Sequence, residues 1–219
     1  MDTKPKLLLA TNNRGKLREY RELLRGVPFE LVTPDELGIS LGVEEAGDTF
    51  EANATLKAMA AARQTGLLSL ADDSGLEVDD LGGAPGPLSA RYAGASASDK
   101  DRIAFLLSRL KDIPARERSA RFRCVIAIAS PPLLMRGVLP EEGRRGNLNE
   151  SIKLFSGVCS GILTDAPRGA HGFGYDPIFF IPELGKTMAE LTLEEKNKVS
   201  HRARAAAKAA DYLMRLPPS

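Results

Sequence analysis

The chain has 219 residues, 43% of them hydrophobic and 27% charged, which is typical of a soluble globular protein. Thirty lysines and arginines against 29 acidic residues leave a net charge of +1, which argues against a protein that coats duplex nucleic acid. The two cysteines, Cys124 and Cys159, lack the close spacing of metal ligands, and two histidines are too few for a typical zinc cluster. The apolar run at residues 7–10 is too short for a signal peptide or a membrane span, so we expect a cytoplasmic protein without membrane or nucleic-acid partners.

Hydrophobic patterns predict strands and helices that alternate early in the chain and strands that cluster later. This order is typical of the α/β class, with a mixed central sheet flanked by helices. No linker divides the chain, so we expect one domain over 1–219, with two lobes around a cleft as a variant and a hairpin-like insertion at about 131–150. In chain order the predicted elements are strand 6–11, a helix through 17–24, strand 29–33, helix 49–65, strand 67–71, helix 98–111, strand 121–129, extended segment 151–163, strand 178–181 and one long helix over 193–216.

The strand predicted at 67–71 runs into Asp72-Asp73-Ser74-Gly75, which we interpret as an acidic turn that carries chemistry. Two carboxylates beside a core are costly unless a cation or strong donors compensate them. The C-terminal end of a strand is where open α/β sheets place ligands, and magnesium prefers carboxylate oxygens together with substrate phosphates. The alternative is an Asp-rich turn in which Gly75 supplies a positive φ; the residues favour the metal and phosphate site.

Two segments upstream carry groups that suit a phosphate ligand. Residues 11–16 lie between a strand and a helix, where free N–H groups, the helix dipole and Lys16 together form an anion site. Asn53 and Lys57 are four residues apart and share a helix face, with an acidic pair at 44–45 just upstream. Taken alone, each segment is better explained as a capped turn or a solvated polar face.

Residues 172–177 place two glycines beside two aromatic residues. Such a segment permits close backbone approach to a flat ligand, with stacking on a ring; a tight hairpin with core aromatics is the alternative. Lys196 and the pair His201 and Arg202 could donate to a carbonyl or a phosphate, although a His-Arg pair on a helix is usually a surface feature.

In this order, the five segments resemble the inosine triphosphate pyrophosphatase family. The matching motifs include Thr-Asn-Asn-x-Gly-Lys, Ala-Asp-Asp-Ser-Gly-Leu, Gly-Phe-Gly-Tyr-Asp-Pro and Lys-x-x-x-Ser-His-Arg, and they span about residues 7–205. The resemblance implies an elongated, two-lobed α/β fold with a cleft, in a homodimer. It also implies magnesium-dependent hydrolysis of ITP, dITP and XTP to the nucleoside monophosphate and pyrophosphate, which cleanses the nucleotide pool.

The resemblance also assigns roles by position. Asp73 would be the general base and, with Glu45, a magnesium ligand, while the role of Asp72 stays open. The triphosphate would be bound by Thr11, Asn12, Asn13, Arg14, Gly15, Lys16, Asn53, Lys57 and Ser74. The base pocket would comprise Phe173, Gly174, Tyr175, Asp176, Lys196, His201 and Arg202.

Three other functions compete with this one. A nucleotide-binding sensor without turnover is the main alternative, and the acid pair argues against it because carboxylates hinder phosphate binding unless a metal is recruited. A pyrophosphatase for a modified pyrimidine triphosphate is the second. A single-strand nucleic-acid binder that stacks bases on Phe173 and Tyr175 is the third, disfavoured by the near-zero charge and an aromatic content of 5%.

Overall fold

The computed structural model describes residues 4–42, 47–131 and 152–216. Its strands are β1 (Lys6–Leu9), β2 (Glu30–Val32), β3 (Leu68–Val78), β4 (Ser119–Ala129), β5 (Ile152–Leu163), β6 (Phe179–Ile181) and β7 (Lys186–Thr187). Its α-helices are α1 (Arg14–Leu23), α2 (Phe50–Thr65), α3 (Asp99–Arg109), α4 (Leu193–Val199) and α5 (His201–Met214).

The strands form one seven-stranded sheet in the order β2-β1-β3-β4-β5-β6-β7. β1 lies parallel to β2 and to β3, whereas β6 lies antiparallel to β5 and to β7. The sheet is therefore mixed, and the predicted α/β class is confirmed.

The chain divides into two compact units, each with its own core. The first takes the described residues of Met1–Asp73, Val125–Phe155 and Lys208–Ser219, and the second those of Ser74–Cys124 and Ser156–Ala207. In the first unit, buried alanines of α2 pack against Leu8, Val32 and Val125, because small side chains let the helix approach the strands closely. The core of the second unit is built on larger side chains, among them Leu76, Leu106, Phe122, Phe179 and Met188.

The capping signals of α2 are confirmed. The Thr49 hydroxyl accepts a hydrogen bond from the Ala52 N–H at 3.1 Å, which satisfies one of the free donors of the first turn. Gly66 ends the helix with φ +68°, a left-handed conformation that a glycine adopts without strain. These two signals set the residues at which α2 begins and ends.

The acidic segment is not a turn, and this prediction was wrong. Asp72, Asp73, Ser74 and Gly75 lie in the middle of β3, and Gly75 does not have a positive φ. These residues continue the strand that pairs with β1 at Leu68–Leu70 and that neighbours β4 in the sheet, so the backbone stays extended. Pairing with β1 ends at Leu9 and Leu70, so the two carboxylates still lie just beyond the end of a parallel neighbour.

The single terminal helix predicted over 193–216 was also wrong, because the chain forms two helices with a break at Ser200. Ser200 has φ −69° and ψ 156°, an extended conformation. Its buried hydroxyl accepts a hydrogen bond from the Ala203 N–H at 3.2 Å and so caps a new helix, α5. The break places His201 and Arg202 in the first turn of α5.

Two further expectations concern the insertion at 131–150 and membrane-spanning segments. The hairpin-like insertion predicted at about 131–150 lies outside the described residues, apart from Pro131. Within the described ranges, no helix has the length and apolar character needed to cross a membrane.

Gly157 is the point at which β5 contacts α5 in the second unit. A Cβ atom at this position would stand 2.2 Å from the His201 carbonyl oxygen and 2.6 Å from the Ala205 backbone nitrogen. Both neighbours are helix backbone, so they cannot move aside as a flexible side chain could. Only glycine lets the strand and the helix pack at this distance.

We predict that Gly157→Ala lowers the free energy of unfolding by about 1–3 kcal/mol, because the strand and helix must separate to admit one methyl group. Urea denaturation followed by far-UV circular dichroism measures the change. Ser160→Ala, at an exposed position of the same strand, is the matched control and should change the free energy by less than about 0.5 kcal/mol. Equal midpoints for Gly157→Ala and the parent protein would contradict the packing argument.

Candidate active site

The Asp72 carboxylate is paired with Lys16. Asn13 caps α1 by accepting a hydrogen bond from the Lys16 N–H at 3.0 Å, so Lys16 lies in the first turn of the helix. Its Nζ atom lies 3.0 Å from Oδ2 of Asp72, and the Asp72 side chain is fully buried. Asp72, whose role the sequence left open, therefore holds the main cation of the segment predicted to bind phosphate.

Asp73 is held by two side chains from one face of α2. Lys57 Nζ lies 3.1 Å from Oδ1 of Asp73, and the Asn53 amide donates to Oδ2 at 3.1 Å. The Gly47 N–H donates to Oδ1 of Asn53 at 2.9 Å, which orients the amide with its NH₂ group toward the carboxylate. Two donors, one of them charged, compensate a carboxylate that is buried. The four-residue spacing of Asn53 and Lys57 thus serves a single acidic group.

The donor set at Asp73 fits a hard cation such as magnesium. The carboxylate is a hard oxygen ligand, and magnesium commonly takes one or two carboxylates and completes its shell with phosphates and water. In the described part of the chain, no group of three or more His, Cys, Asp or Glu side chains forms a cage made by protein alone. Glu45, the second predicted ligand, lies outside the described residues.

In the second unit, residues 172–176 form a loop around the Asp176 carboxylate. The Phe173 N–H donates to Oδ2 of Asp176 at 2.9 Å, and Lys196 Nζ lies 2.5 Å from the same oxygen. Gly172 has φ +75°, and a Cβ there would stand 2.1 Å from Oδ2 of Asp176, so only glycine fits. The buried ion pair of Asp176 and Lys196 is therefore enclosed by the loop backbone.

The Phe173 ring lies near two cations. Lys196 Nζ is 4.9 Å and the Arg202 guanidinium carbon 5.5 Å from the ring centroid. Arg202 is buried, and its Nη2 atom donates to the Ser74 hydroxyl at 2.9 Å. A half-buried aromatic face beside fixed donors can bind a flat heterocycle that carries carbonyl oxygens.

Tyr175 and His201 have their side chains inside the protein. The Tyr175 hydroxyl donates to the Ser89 carbonyl oxygen at 3.1 Å, and burial raises the pKa of this hydroxyl, so it remains a neutral donor. The His201 ring stacks on Phe122 with centroids 4.7 Å apart and an interplanar angle of 17°. Both side chains are buried, so neither ring presents an exposed face.

The structure brings most of the predicted residues into clusters. Lys16, Asn53 and Lys57 surround the two acids, Ser74 contacts Arg202, and Phe173, Asp176 and Lys196 contact one another. The rest of the first segment forms the turn before α1 and the first two residues of that helix. In it Thr11 Oγ1 accepts from the Asn13 N–H at 3.2 Å, Asn12 and Arg14 are exposed, and Gly15 is partly buried.

Sequence reasoning missed two residues that support the loop, Asp99 and Arg102. Asp99 Oδ2 accepts a hydrogen bond from the Gly174 N–H at 2.7 Å, although the two lie 75 positions apart. Arg102 donates to the Ala90 carbonyl oxygen, next to Ser89, which accepts from Tyr175. No local pattern indicates pairs so distant in sequence; only the Ser98-x-x-Asp101 capping spacing locates the helix that carries them.

Comparison with known proteins matches residues 7–212 to the Ham1 family. The chain is 50% identical over 208 residues to the dITP/XTP pyrophosphatase of Geobacter sulfurreducens, covering 95% of this chain and 96% of that one. It is 43% identical over 206 residues to the dITP/XTP pyrophosphatase of Bacillus subtilis, covering 94% and 96%. The structure of a HAM1 protein from Coxiella burnetii is similar with a TM-score of 0.81 at 40% identity, covering 97% of this chain and 100% of that one.

These similarities confirm the resemblance inferred from the ordered motifs. The matched region includes every described cluster, from Lys16 to Arg202. Relatives at this level of identity align over nearly the full length of both chains, so the match is not limited to one motif or one unit. The chain belongs to the Ham1 family.

Proposed function

We propose that this protein hydrolyses the non-standard purine nucleoside triphosphates dITP, XTP and ITP to the monophosphate and pyrophosphate. The observation that carries the proposal is the buried Asp73 carboxylate, held by Lys57 and Asn53. A carboxylate fixed in this way suits an acceptor of a proton from water. The names of the full-length relatives support the choice of substrate.

Phosphate binding falls to the cations and backbone donors of the first unit. Lys16 and Lys57 provide positive charge beside Asp72 and Asp73, and the turn at 11–16 presents N–H groups at the start of α1. Donors fixed before the substrate arrives stabilise the charge that develops on phosphoryl oxygens. In this proposal Lys16 and Lys57 give up some of their contacts with Asp72 and Asp73 when the substrate binds, and form contacts with its phosphates instead.

Asp73 is the proposed catalytic residue, as general base for the attacking water. Its two oxygens already accept from Lys57 and Asn53, which fix the orientation of the carboxylate. Asp73 and Glu45 would hold magnesium, which when bound supplies positive charge against the phosphates and makes water more acidic. Ser74, the next residue, offers a hydroxyl to the phosphates.

Base recognition falls to the second unit. Phe173 provides a ring for stacking, and Lys196 and Arg202 lie near it as donors, with Gly174, Tyr175, Asp176 and His201 as the surrounding wall. Hypoxanthine and xanthine carry an acceptor oxygen at position 6, where adenine carries an amino group. The adenine amino group is itself a donor, so it would face the N–H groups of these side chains instead of accepting from them, and two donors that face each other are a strong cause of rejection.

We also propose that the protein is a homodimer and acts in the cytoplasm, as the family resemblance implies. The substrates are free nucleotides of the cellular pool, so neither nucleic acid nor a membrane is a proposed partner.

Asp73→Asn tests the role of the base. The amide keeps the size of the side chain but cannot accept a proton from water, so we expect kcat for ITP to fall by about 10²–10⁴-fold. Pyrophosphate release measures the rate, and circular dichroism checks that the fold survives. Asp80→Asn is the control, because Asp80 is exposed and lies just after the end of β3. This variant should keep the parental rate.

The same assay separates an enzyme from a sensor. A purified parent protein that binds ITP but releases no pyrophosphate with any divalent metal would contradict the proposed function. An Asp73→Asn variant with parental kcat would leave the activity standing and remove Asp73 from the role of base.

A substrate panel tests purine selectivity. We expect kcat/KM for ITP and XTP to exceed that for ATP by about 100-fold or more, because the adenine amino group would face donors where the oxygen at position 6 would accept from them. Arg202→Lys keeps the charge but loses the planar fork, so the ratio of ITP to ATP should fall by about tenfold. Comparable rates for ATP and ITP in the parent protein, or a dUTP rate above the ITP rate, would contradict the selectivity.

Metal removal tests the cofactor. Chelation with EDTA should abolish hydrolysis, and added magnesium should restore it. Glu45→Gln should raise the magnesium concentration for half-maximal rate by about tenfold or more, since a carboxylate ligand is lost. Glu30→Gln, at an exposed position of β2, should leave that concentration unchanged. Full activity in EDTA would contradict magnesium dependence.

A further inference from the structure

Phe173 lies between two peptide N–H groups that are each held by a carboxylate. Its own N–H donates to Oδ2 of Asp176 at 2.9 Å. The following N–H, of Gly174, donates to Oδ2 of Asp99 at 2.7 Å. The peptide planes on both sides of the Phe173 Cα atom are thereby fixed, and with them the direction in which the ring leaves the backbone.

Asp99 is not needed to cap the helix on which it lies. The Ser98 hydroxyl accepts from the Asp101 N–H at 3.2 Å, and the Asp101 carboxylate accepts from the Ser98 N–H at 3.0 Å. This capping box satisfies the start of α3 without Asp99. The Asp99 carboxylate instead reaches across to the Gly174 amide.

The other oxygen of Asp99 ties the loop to a third segment. Oδ1 pairs with the guanidinium of Arg102, whose Nη1 donates to the Ala90 carbonyl oxygen at 2.5 Å. The neighbouring carbonyl, that of Ser89, accepts from the Tyr175 hydroxyl at 3.1 Å. Residues 89–90 thus hold the loop at two points, once through Tyr175 and once through Arg102 and Asp99.

The geometry points to Asp99 as a positioning residue for the purine ring of the substrate. It acts through the Gly174 amide to fix the Phe173 ring, and the ring in turn stands beside Lys196 and Arg202. Asp99 touches neither the base nor the phosphates in this assignment. The inference rests on the proposed function, because it takes Phe173 as the surface on which the base stacks.

The role predicts a separation of effects between ligands. Loss of the Asp99 carboxylate loosens the Phe173 ring and weakens ligands that contain a base. It leaves pyrophosphate binding unchanged, because the lysines and the turn at 11–16 belong to the first unit. A general loss of stability would weaken both kinds of ligand.

The test compares Asp99→Ala and Asp99→Asn with the parent protein. For Asp99→Ala we expect the KM for ITP and the inhibition constant of IMP to rise by about tenfold, because a hydrogen bond to a charged group is lost. The inhibition constant of pyrophosphate and kcat should stay within about twofold of the parental values. Asp99→Asn keeps an acceptor oxygen for the Gly174 N–H, so its shift should be smaller, about threefold. Calorimetry measures IMP binding without turnover.

Asp101→Ala is the matched control, since it removes an acid from the same helix start but makes no contact with the loop in the hydrogen bonds described. It should lower stability and leave both inhibition constants near the parental values. Unchanged IMP binding in Asp99→Ala overturns the inference, as does an equal shift in Asp101→Ala or a parallel shift for pyrophosphate. If Asp99→Ala does not fold, parental IMP binding in Asp99→Asn together with parental KM for ITP overturns it.

The two proposals fail in different ways. A parent protein that hydrolyses ITP while Asp99→Ala keeps parental IMP binding removes the positioning role and retains the function. A parent protein that binds IMP but hydrolyses no triphosphate removes the proposed function, and the IMP shifts still decide the role of Asp99. A parent protein that binds neither ITP nor IMP removes both.

Discussion

The burial of two adjacent carboxylates in an interior strand is the constraint on which the first unit depends. Asp72 and Asp73 lie in the middle of β3. Asp72 forms an ion pair with Lys16 at 3.0 Å, and Asp73 forms one with Lys57 at 3.1 Å. An unpaired buried carboxylate costs several kcal/mol, of the order of 3–5 when one partner of a pair is removed. The start of α1 and one face of α2 must therefore sit where Lys16 and Lys57 can reach the strand.

This constraint also explains why the same residues serve both the fold and the proposed chemistry. Neighbouring residues of a strand point to opposite faces, so two adjacent acids are met by cations from two different helices. In the proposed function the lysines that neutralise the acids are also the cations that contact the triphosphate, and a hard metal held by Asp73 would take part of their place.

In the second unit, buried carboxylates and their partners determine the conformation of a loop. Asp176 is buried with Lys196, and the loop backbone donates to Asp176 and to Asp99, so carboxylates rather than a regular sheet or helix define its shape. Gly172 is required because any side chain would collide with the Asp176 carboxylate. The result is an aromatic ring held rigidly on a segment with little regular structure, which suits recognition of a flat ligand.

The sequence by itself determined the α/β class, the family and the local signals of each helix. Thr49, Gly66 and the four-residue spacing of Asn53 and Lys57 are local, and local patterns survive in the fold because they depend on backbone geometry over one or two turns. Only the tertiary structure decided that Asp72 to Gly75 continue a strand, that Ser200 breaks the last helix, and that Lys16 meets Asp72 and Asp99 meets Gly174. Those outcomes depend on strand neighbours and on partners distant in the chain, because a buried polar group takes whichever donor or acceptor the packing brings to it.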